Sequence, residues 1–331
     1  MPDRLQQLGH WLEQACGLSS FALETASADA SFRRYFRVTL ADGETRIAMD
    51  APPDREDCRP FLAVGKRLEA VGLHVPHVFA ADPDLGFVLL EDLGSESYLA
   101  ALEADPATAG RLYDDAIDAL VRMQAEVDPV GLPAYDEALL LRELQLFPDW
   151  LLACHLGIEL DAAERRMYDG VCRHLVENAL AQPTVCVHRD YHSRNLMRVA
   201  RRNPGVIDFQ DAVAGPASYD LVSLLRDCYI AWPSAQVAGW VDRYFEQAHA
   251  AGVLDSVDRN RFDAWFDLMG VQRHLKAAGI FARLYHRDGK AGYLGDVPRT
   301  LQYIVDVAEL YSTLQDLGDL ITQRLLPRLR F

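Results

Sequence analysis

The apolar residues of this chain change period near residue 93, and that change limits the fold more than any other feature. Before it, short segments alternate and are rich in aromatic and β-branched residues, as half-buried strands are. Phe32 to Leu40 alternates in this way, Asp42-Gly43 makes a hairpin turn, and Thr45 to Asp50 returns as a second strand that Pro52-Pro53 ends. Val75 to Ala80 and Phe87 to Glu91 read as two more strands, and Thr25 to Ser31 reads as a polar loop. Two helices accompany them. One carries Leu5, Leu8, Trp11, Leu12 and Ala15 and stops at Gly17; the other runs from Phe61 to Val71 and is capped by Gly72.

After Asp92-Leu-Gly-Ser-Glu96 the spacing becomes helical. Pro106 opens a helix through Leu112, Ile117, Leu120 and Met123, and further helical patterns cover about 137–154, 161–180, 218–231, 234–251, 259–286 and 297–316. Only about 184–209 reads as strands and loops. The expected class is α+β and bilobal: a small β-rich N-terminal lobe over residues 1–93 and a larger helical C-terminal lobe over 94–331 with one β island. A chain of 331 residues, 50% of them hydrophobic, can bury a core in each.

Charge and cysteine usage narrow the partners. The 33 Lys and Arg stand against 49 Asp and Glu, a net −16, which argues against non-specific binding to nucleic acid or an anionic membrane surface. The six cysteines form no C-x-x-C pair and read as reduced thiols. With no apolar run behind the N-terminus and none long enough to span a membrane, the expected location is the cytoplasm.

The β island carries the chemistry. It reads Val187-His188-Arg189-Asp190-Tyr191-His192-Ser193-Arg194-Asn195-Leu196-Met197, followed by Val206-Ile207-Asp208-Phe209. Its apolar flanks place the polar groups in turns at the ends of buried strands. Transfer of a phosphoryl group needs charge neutralisation and alignment more than covalent help. Mg²⁺ takes hard oxygen ligands and few of them from protein; Asn195 and Asp208 supply an amide oxygen and a carboxylate from adjacent strands of a hairpin. Asp190 can accept the proton of an attacking hydroxyl. His192 either touches the γ-phosphate or holds the loop, and Arg194 faces either phosphate or solvent.

His188-x-Asp190-x-His192-x-x-Asn195 with Ile207-Asp208 resembles the catalytic and metal loops of the aminoglycoside-phosphotransferase-like kinases, and the order of parts fits that family from about residue 20 onward. Within it, His188 to Met197, Phe147-Pro-Asp-Trp150 and Gln272-Arg-His-Leu-Lys276 with Gly279-Ile-Phe-Ala-Arg-Leu284 resemble the branch that phosphorylates C1 of N-acetylmuramate and N-acetylglucosamine in bacterial cell-wall recycling. The resemblance implies a protein-kinase-like fold with ATP between the lobes, adenine held by backbone groups around Glu91 to Leu93, and Mg²⁺ on Asn195 and Asp208. It makes Asp190 the base, with His192 and Arg194 beside it. In Gly215-Pro-Ala-Ser-Tyr-Asp220-Leu, it makes Asp220 a brace of the catalytic loop.

One departure stands out: such kinases carry a Lys on the third strand, where Arg46-Ile-Ala-Met49-Asp50 places Met49, and no Lys occurs in residues 1–65. Arg33 or Arg34 is the expected substitute at the ATP phosphates; neighbours on a strand face opposite sides, so only one of them serves. Trp150 reads either as core or as a sugar platform. On the helix from about 271 to 287, Arg273, Lys276, Arg283 and Arg287 form one stripe, opposite an apolar face of Val271, Leu275, Ala278, Ala282 and Tyr285. That stripe is either a solvated basic face or a border of the acceptor site, with Arg273 or Lys276 meeting the substrate. His74 and His77 read as surface residues. Two other readings stay open: a different acceptor (an aminoglycoside, choline, homoserine or a pentose), and a nucleotide-binding module without turnover, which the missing Lys suggests.

Overall fold

The computed structural model describes residues 4–28 and 32–329, so residues 29–31 of the expected polar loop lie outside it. Helix α1 (Arg4–Gln14) is followed by strands β1 (Phe21–Ala28), β2 (Arg34–Leu40) and β3 (Thr45–Asp50), helix α2 (Arg59–Ala70), and strands β4 (Val78–Asp82) and β5 (Phe87–Glu91). The five strands form one antiparallel sheet in the order β1-β2-β3-β5-β4. Gly43 closes the β2–β3 hairpin at φ 87°, a conformation glycine adopts without penalty. One sheet face, with Phe36, Val38, Ala48, Phe87 and Leu89, packs on Leu8, Trp11 and Leu12 of α1. Strand β1 corrects the sequence reading, since Thr25 to Ala28 is strand and not loop. Phe21 and Leu23 of β1 join the same core, and the register shifts between Thr25 and Ser27, where small and polar residues hide the alternation.

Beyond β5 the chain is mainly helical. Helices α3 (Tyr98–Ala104), α4 (Ala109–Glu126) and α5 (Glu137–Leu144) precede a wide-wound π segment, Phe147–Leu156, and helix α6 (Ala162–Leu180). Pro106 opens a single 3-10 turn ahead of α4 rather than α4 itself. The β island is four short strands: β6 (Thr184–Val187), β7 (Leu196–Met197), β8 (Gly205–Val206) and β9 (Val213–Pro216). Strand β6 pairs with β9 and β7 with β8, both antiparallel. Helices α7 (Tyr219–Leu225), α8 (Ser234–Ala250), α9 (Arg259–Asp288), α10 (Val297–Ala308) and α11 (Gln315–Leu320) follow.

The chain divides into two compact units. One holds the residues up to Ser97 together with Leu196–Asp211; the other holds Tyr98–Asn195 and the chain from Ala212 onward. The β7–β8 hairpin thus groups with the sheet-bearing unit, although its sequence position lies inside the helical run. Among the described residues, no helix is long and apolar enough to cross a membrane.

Helix α9 is the spine of the second unit, and every residue from Leu268 to Lys276 is buried. Its close approach to the start of the π segment depends on Gly279, where an added Cβ would lie 2.4 Å from the Leu146 carbonyl carbon and 2.5 Å from its oxygen. Backbone cannot yield as a side chain does. Gly279→Ala is therefore expected to lower stability in urea unfolding by about 1–3 kcal/mol, the usual cost of overpacking, despite alanine's better helix propensity. A variant as stable as the parent would show that α9 can shift away from Leu146.

Candidate active site

Buried Val185, Cys186 and Val187 of β6 lead straight into the loop His188–Asn195. Two buried carboxylates hold this loop from below. Asp220, in the first turn of α7, accepts the backbone N–H of His188 at 2.6 Å and of Arg189 at 2.9 Å. Arg189 has φ 79°, costly for a residue with a side chain, and these two bonds over-determine it. Burial pushes Asp220 up to about 6 even though His188 and the two N–H groups favour its anion. Such contacts fit the bracing role. Farther along, Asp227 accepts both the backbone N–H (3.0 Å) and the hydroxyl (2.5 Å) of Ser193, and the N–H of Tyr229 at 2.9 Å. The Tyr191 hydroxyl donates to the Ala116 carbonyl at 2.9 Å. Asn195 Nδ2 donates to the Asp190 carbonyl at 3.1 Å, as does the His192 N–H at 3.0 Å. Asp190 therefore projects from a loop pinned on both sides.

The surroundings of Asp190 are strongly cationic. Burial alone would raise its pKa, but Lys276, His192, Arg273 and Arg189 together hold it down at about 2. The carboxylate is ionised at neutral pH, as a proton acceptor must be. Burial pushes His192 down to about 4, so its imidazole is neutral and brings no charge to a phosphate. Its ring stands edge-on to Tyr229, 5.2 Å between centroids. Arg194 is exposed yet held in place, its guanidinium 3.6 Å above the Tyr229 ring and 5.5 Å from that of Tyr293.

The first half of the basic stripe on α9 is not a solvated face, whereas Arg287 at its far end is exposed. Arg273 is 5% exposed and Lys276 7%, whereas Tyr285, expected on the packed side, is 39% exposed. For Lys276 the reason is Glu143 of α5. This buried carboxylate pairs with Lys276 Nζ at 3.2 Å and with the Arg189 guanidinium, and accepts the Tyr135 hydroxyl. Lys276 also donates to the Tyr219 hydroxyl at 2.9 Å. Glu143, Arg189 and Asp227 were missed from sequence. Glu143 left a signal, since it lies on one helical stripe with Leu140 and Leu144, a charge where apolar residues belong. Trp150 lies half-buried on the π segment.

In the sheet-bearing unit, Asp208 follows β8 with φ 63°, and Gln210 Nε2 donates to its Oδ1 at 2.7 Å. Phe209 anchors this corner by stacking on Phe61 at 4.8 Å, with Gly65 leaving room for the ring. The amide oxygen of Asn195 and the carboxylate of Asp208 are hard donors, a set that suits Mg²⁺ and not a thiophilic metal. Met49 is fully buried. Next to it, buried Asp50 takes Arg4 at 2.5 Å and also Arg34, so Arg34 is already engaged by a carboxylate. Arg33 is buried, 3.9 Å from Glu56. The Glu91 N–H is taken by the His77 carbonyl at 2.8 Å, and its side chain accepts the His77 N–H at 3.2 Å and lies 3.3 Å from His74 Nε2. His74 is buried and not a surface residue, because its Nδ1 also reaches the Arg201 carbonyl at 3.2 Å. Leu93 is half-buried beside Gly205.

Residues 22–262 match the phosphotransferase enzyme family. The chain belongs to that family. This phosphotransferase is 47% identical to an N-acetylmuramate/N-acetylglucosamine kinase of Pseudomonas putida, with 98% of each chain covered. It is also 47% identical to the protein of the same name in Neisseria meningitidis, over 97% of this chain and 96% of that one. Among solved structures it resembles choline kinase LicA from Streptococcus pneumoniae, with a TM-score of 0.63 at 11% identity, covering 92% of this chain and 99% of that one. An ADP-bound aminoglycoside phosphotransferase, APH(2'')-Ib, matches with a TM-score of 0.57 at 13% identity over 90% and 97%. The phosphotransferase thus has the protein-kinase-like α+β fold.

Proposed function

We propose that this phosphotransferase uses Mg-ATP to phosphorylate the anomeric C1 hydroxyl of N-acetylmuramate and N-acetylglucosamine, giving the sugar 1-phosphates for peptidoglycan recycling in the cytoplasm. The observation that carries the acceptor is the 47% identity to kinases of those two sugars over 98% of both chains. Asp190 takes the proton of the C1 hydroxyl as that oxygen bonds to the γ-phosphorus and the bond from phosphorus to the β,γ-bridging oxygen breaks. Its ionised state supports this role. Asn195 and Asp208 would hold Mg²⁺, which when bound supplies positive charge to the phosphate oxygens. Backbone groups around Glu91 to Leu93 take the adenine. Arg33 or Arg34 meets the phosphates in place of the third-strand Lys, and Arg34 would exchange Asp50 for them.

The test is a panel of N-acetylmuramate, N-acetylglucosamine, choline, homoserine, ribose and an aminoglycoside with labelled ATP, followed by NMR of each product. Phosphate on C1 of both amino sugars is expected. Turnover confined to choline or the aminoglycoside would replace the acceptor, and none at all would leave a nucleotide-binding module.

A further inference from the structure

Three cations stand near Asp190, and two of them are matched. Arg189 and Lys276 share Glu143. Arg273 has no such partner: among the described residues, no carboxylate lies within ion-pair distance of it, although it is 5% exposed. Its hydrogen bond runs from Nη1 to the Cys228 sulfur at 3.6 Å, and its Nε has no partner among the described residues. Asp227, next to Cys228 in the chain, is already committed to Ser193 and to the Tyr229 N–H. On the same side of the unit, Arg226 has its own carboxylate in Asp267 at 2.5 Å. Asp190 and Asp227 act on Arg273 only from beyond ion-pair distance. A buried guanidinium with no carboxylate at ion-pair distance and an unpartnered Nε marks a place where an anion arrives from outside.

We infer that Arg273 recognises the carboxylate of N-acetylmuramate and is the residue by which the enzyme distinguishes that sugar from N-acetylglucosamine. The inference rests on the acceptor and the Asp190-centred site proposed above. Two anions come to such a site, the acceptor's carboxylate and the phosphoryl group in transfer. In the function proposed above, the charge of the phosphoryl group would be met by Mg²⁺ and by Arg33 or Arg34. The carboxylate has no comparable cation, because Lys276 is held by Glu143 and Tyr219. A guanidinium suits a carboxylate through two parallel N–H bonds, which an ammonium cannot reproduce.

The experiment compares wild type, Arg273→Met and Arg273→Lys on both sugars. For Arg273→Met, kcat/KM is expected to fall about ten- to a hundred-fold on N-acetylmuramate, the worth of one charged hydrogen bond, and less than about threefold on N-acetylglucosamine. Arg273→Lys should recover only part of the muramate activity. Melting without ligand should leave Arg273→Met at least as stable as wild type, since a buried unpaired charge is gone. Equal loss of kcat on both sugars would assign Arg273 to the phosphoryl group and overturn the carboxylate reading. An unchanged ratio with a lowered melting temperature would make Arg273 structural and overturn it as well. Inactivity of the wild type on both sugars would sink the proposed acceptor, a failure seen before any variant is made, and would take this inference with it.

Discussion

Asp190→Asn is expected to keep its affinity for Mg-ATP and to lose roughly 10²–10⁴-fold in kcat, the usual worth of a positioned base. The amide matches the carboxylate in shape but cannot accept the proton. The loop should keep its form, because the bonds that fix it do not use the Asp190 side chain. Asp220 holds the N–H groups of His188 and Arg189, Asp227 holds Ser193, and the Asp190 carbonyl receives Asn195 and His192. Calorimetric ATP binding and steady-state kinetics on the same preparation separate the two effects. Turnover near the wild-type rate would remove Asp190 from the base position.

Removing the carboxylate proposed for the metal should be more severe. Asp208→Ala is expected to abolish Mg-dependent transfer, because Asn195 alone offers only a neutral amide to a doubly charged ion. Folding should survive, since Phe209 keeps its stack on Phe61. Alanine at φ 63° adds strain of its own, on the order of 1–2 kcal/mol. Asp208→Asn tolerates that backbone and is the better control, removing charge without changing shape. Both variants should stay inactive across a Mg²⁺ titration. Full activity of Asp208→Asn at ordinary Mg²⁺ would take Asp208 out of the metal site.

The parts of this fold that sequence made legible are those where one period dominates. Strand β2 alternates, β5 is a short apolar run buried throughout, and Gly43 marks the turn between β2 and β3. The loop from His188 to Asn195 was legible for another reason: polar residues of fixed type stand between apolar runs, which few structures other than a site require. Strand β1 was missed because Thr25 to Ala28 offers small and polar residues and a bulge instead of alternation. The burial of Arg273 and Lys276 was missed because periodicity reports which residues share a face, and not what lies against it. A basic stripe meets water in most helices; here Lys276 meets a carboxylate on α5, far off in the sequence, and Arg273 meets the Cys228 sulfur. The Lys missing from the third strand was plain from sequence. What it could not reveal is that buried Asp50, beside Met49, draws in both Arg4 and Arg34.

The division of the chain bears on how the protein is made. Residues up to Ser97 and Leu196–Asp211 form one unit, yet the ribosome delivers Tyr98–Asn195 between them. A nascent chain that has reached Ser97 has the five-stranded sheet but lacks Phe209 beside Phe61, Val206 to bond the His74 carbonyl at 2.8 Å, and Arg198 to bond the Glu96 carbonyl at 2.8 Å. N-terminal domains usually fold as they emerge, but this one cannot finish until residue 211 has left the exit tunnel. In the interval its uncovered apolar corner needs shelter, and a gene fragment cut at residue 97 encodes a unit with that corner permanently open.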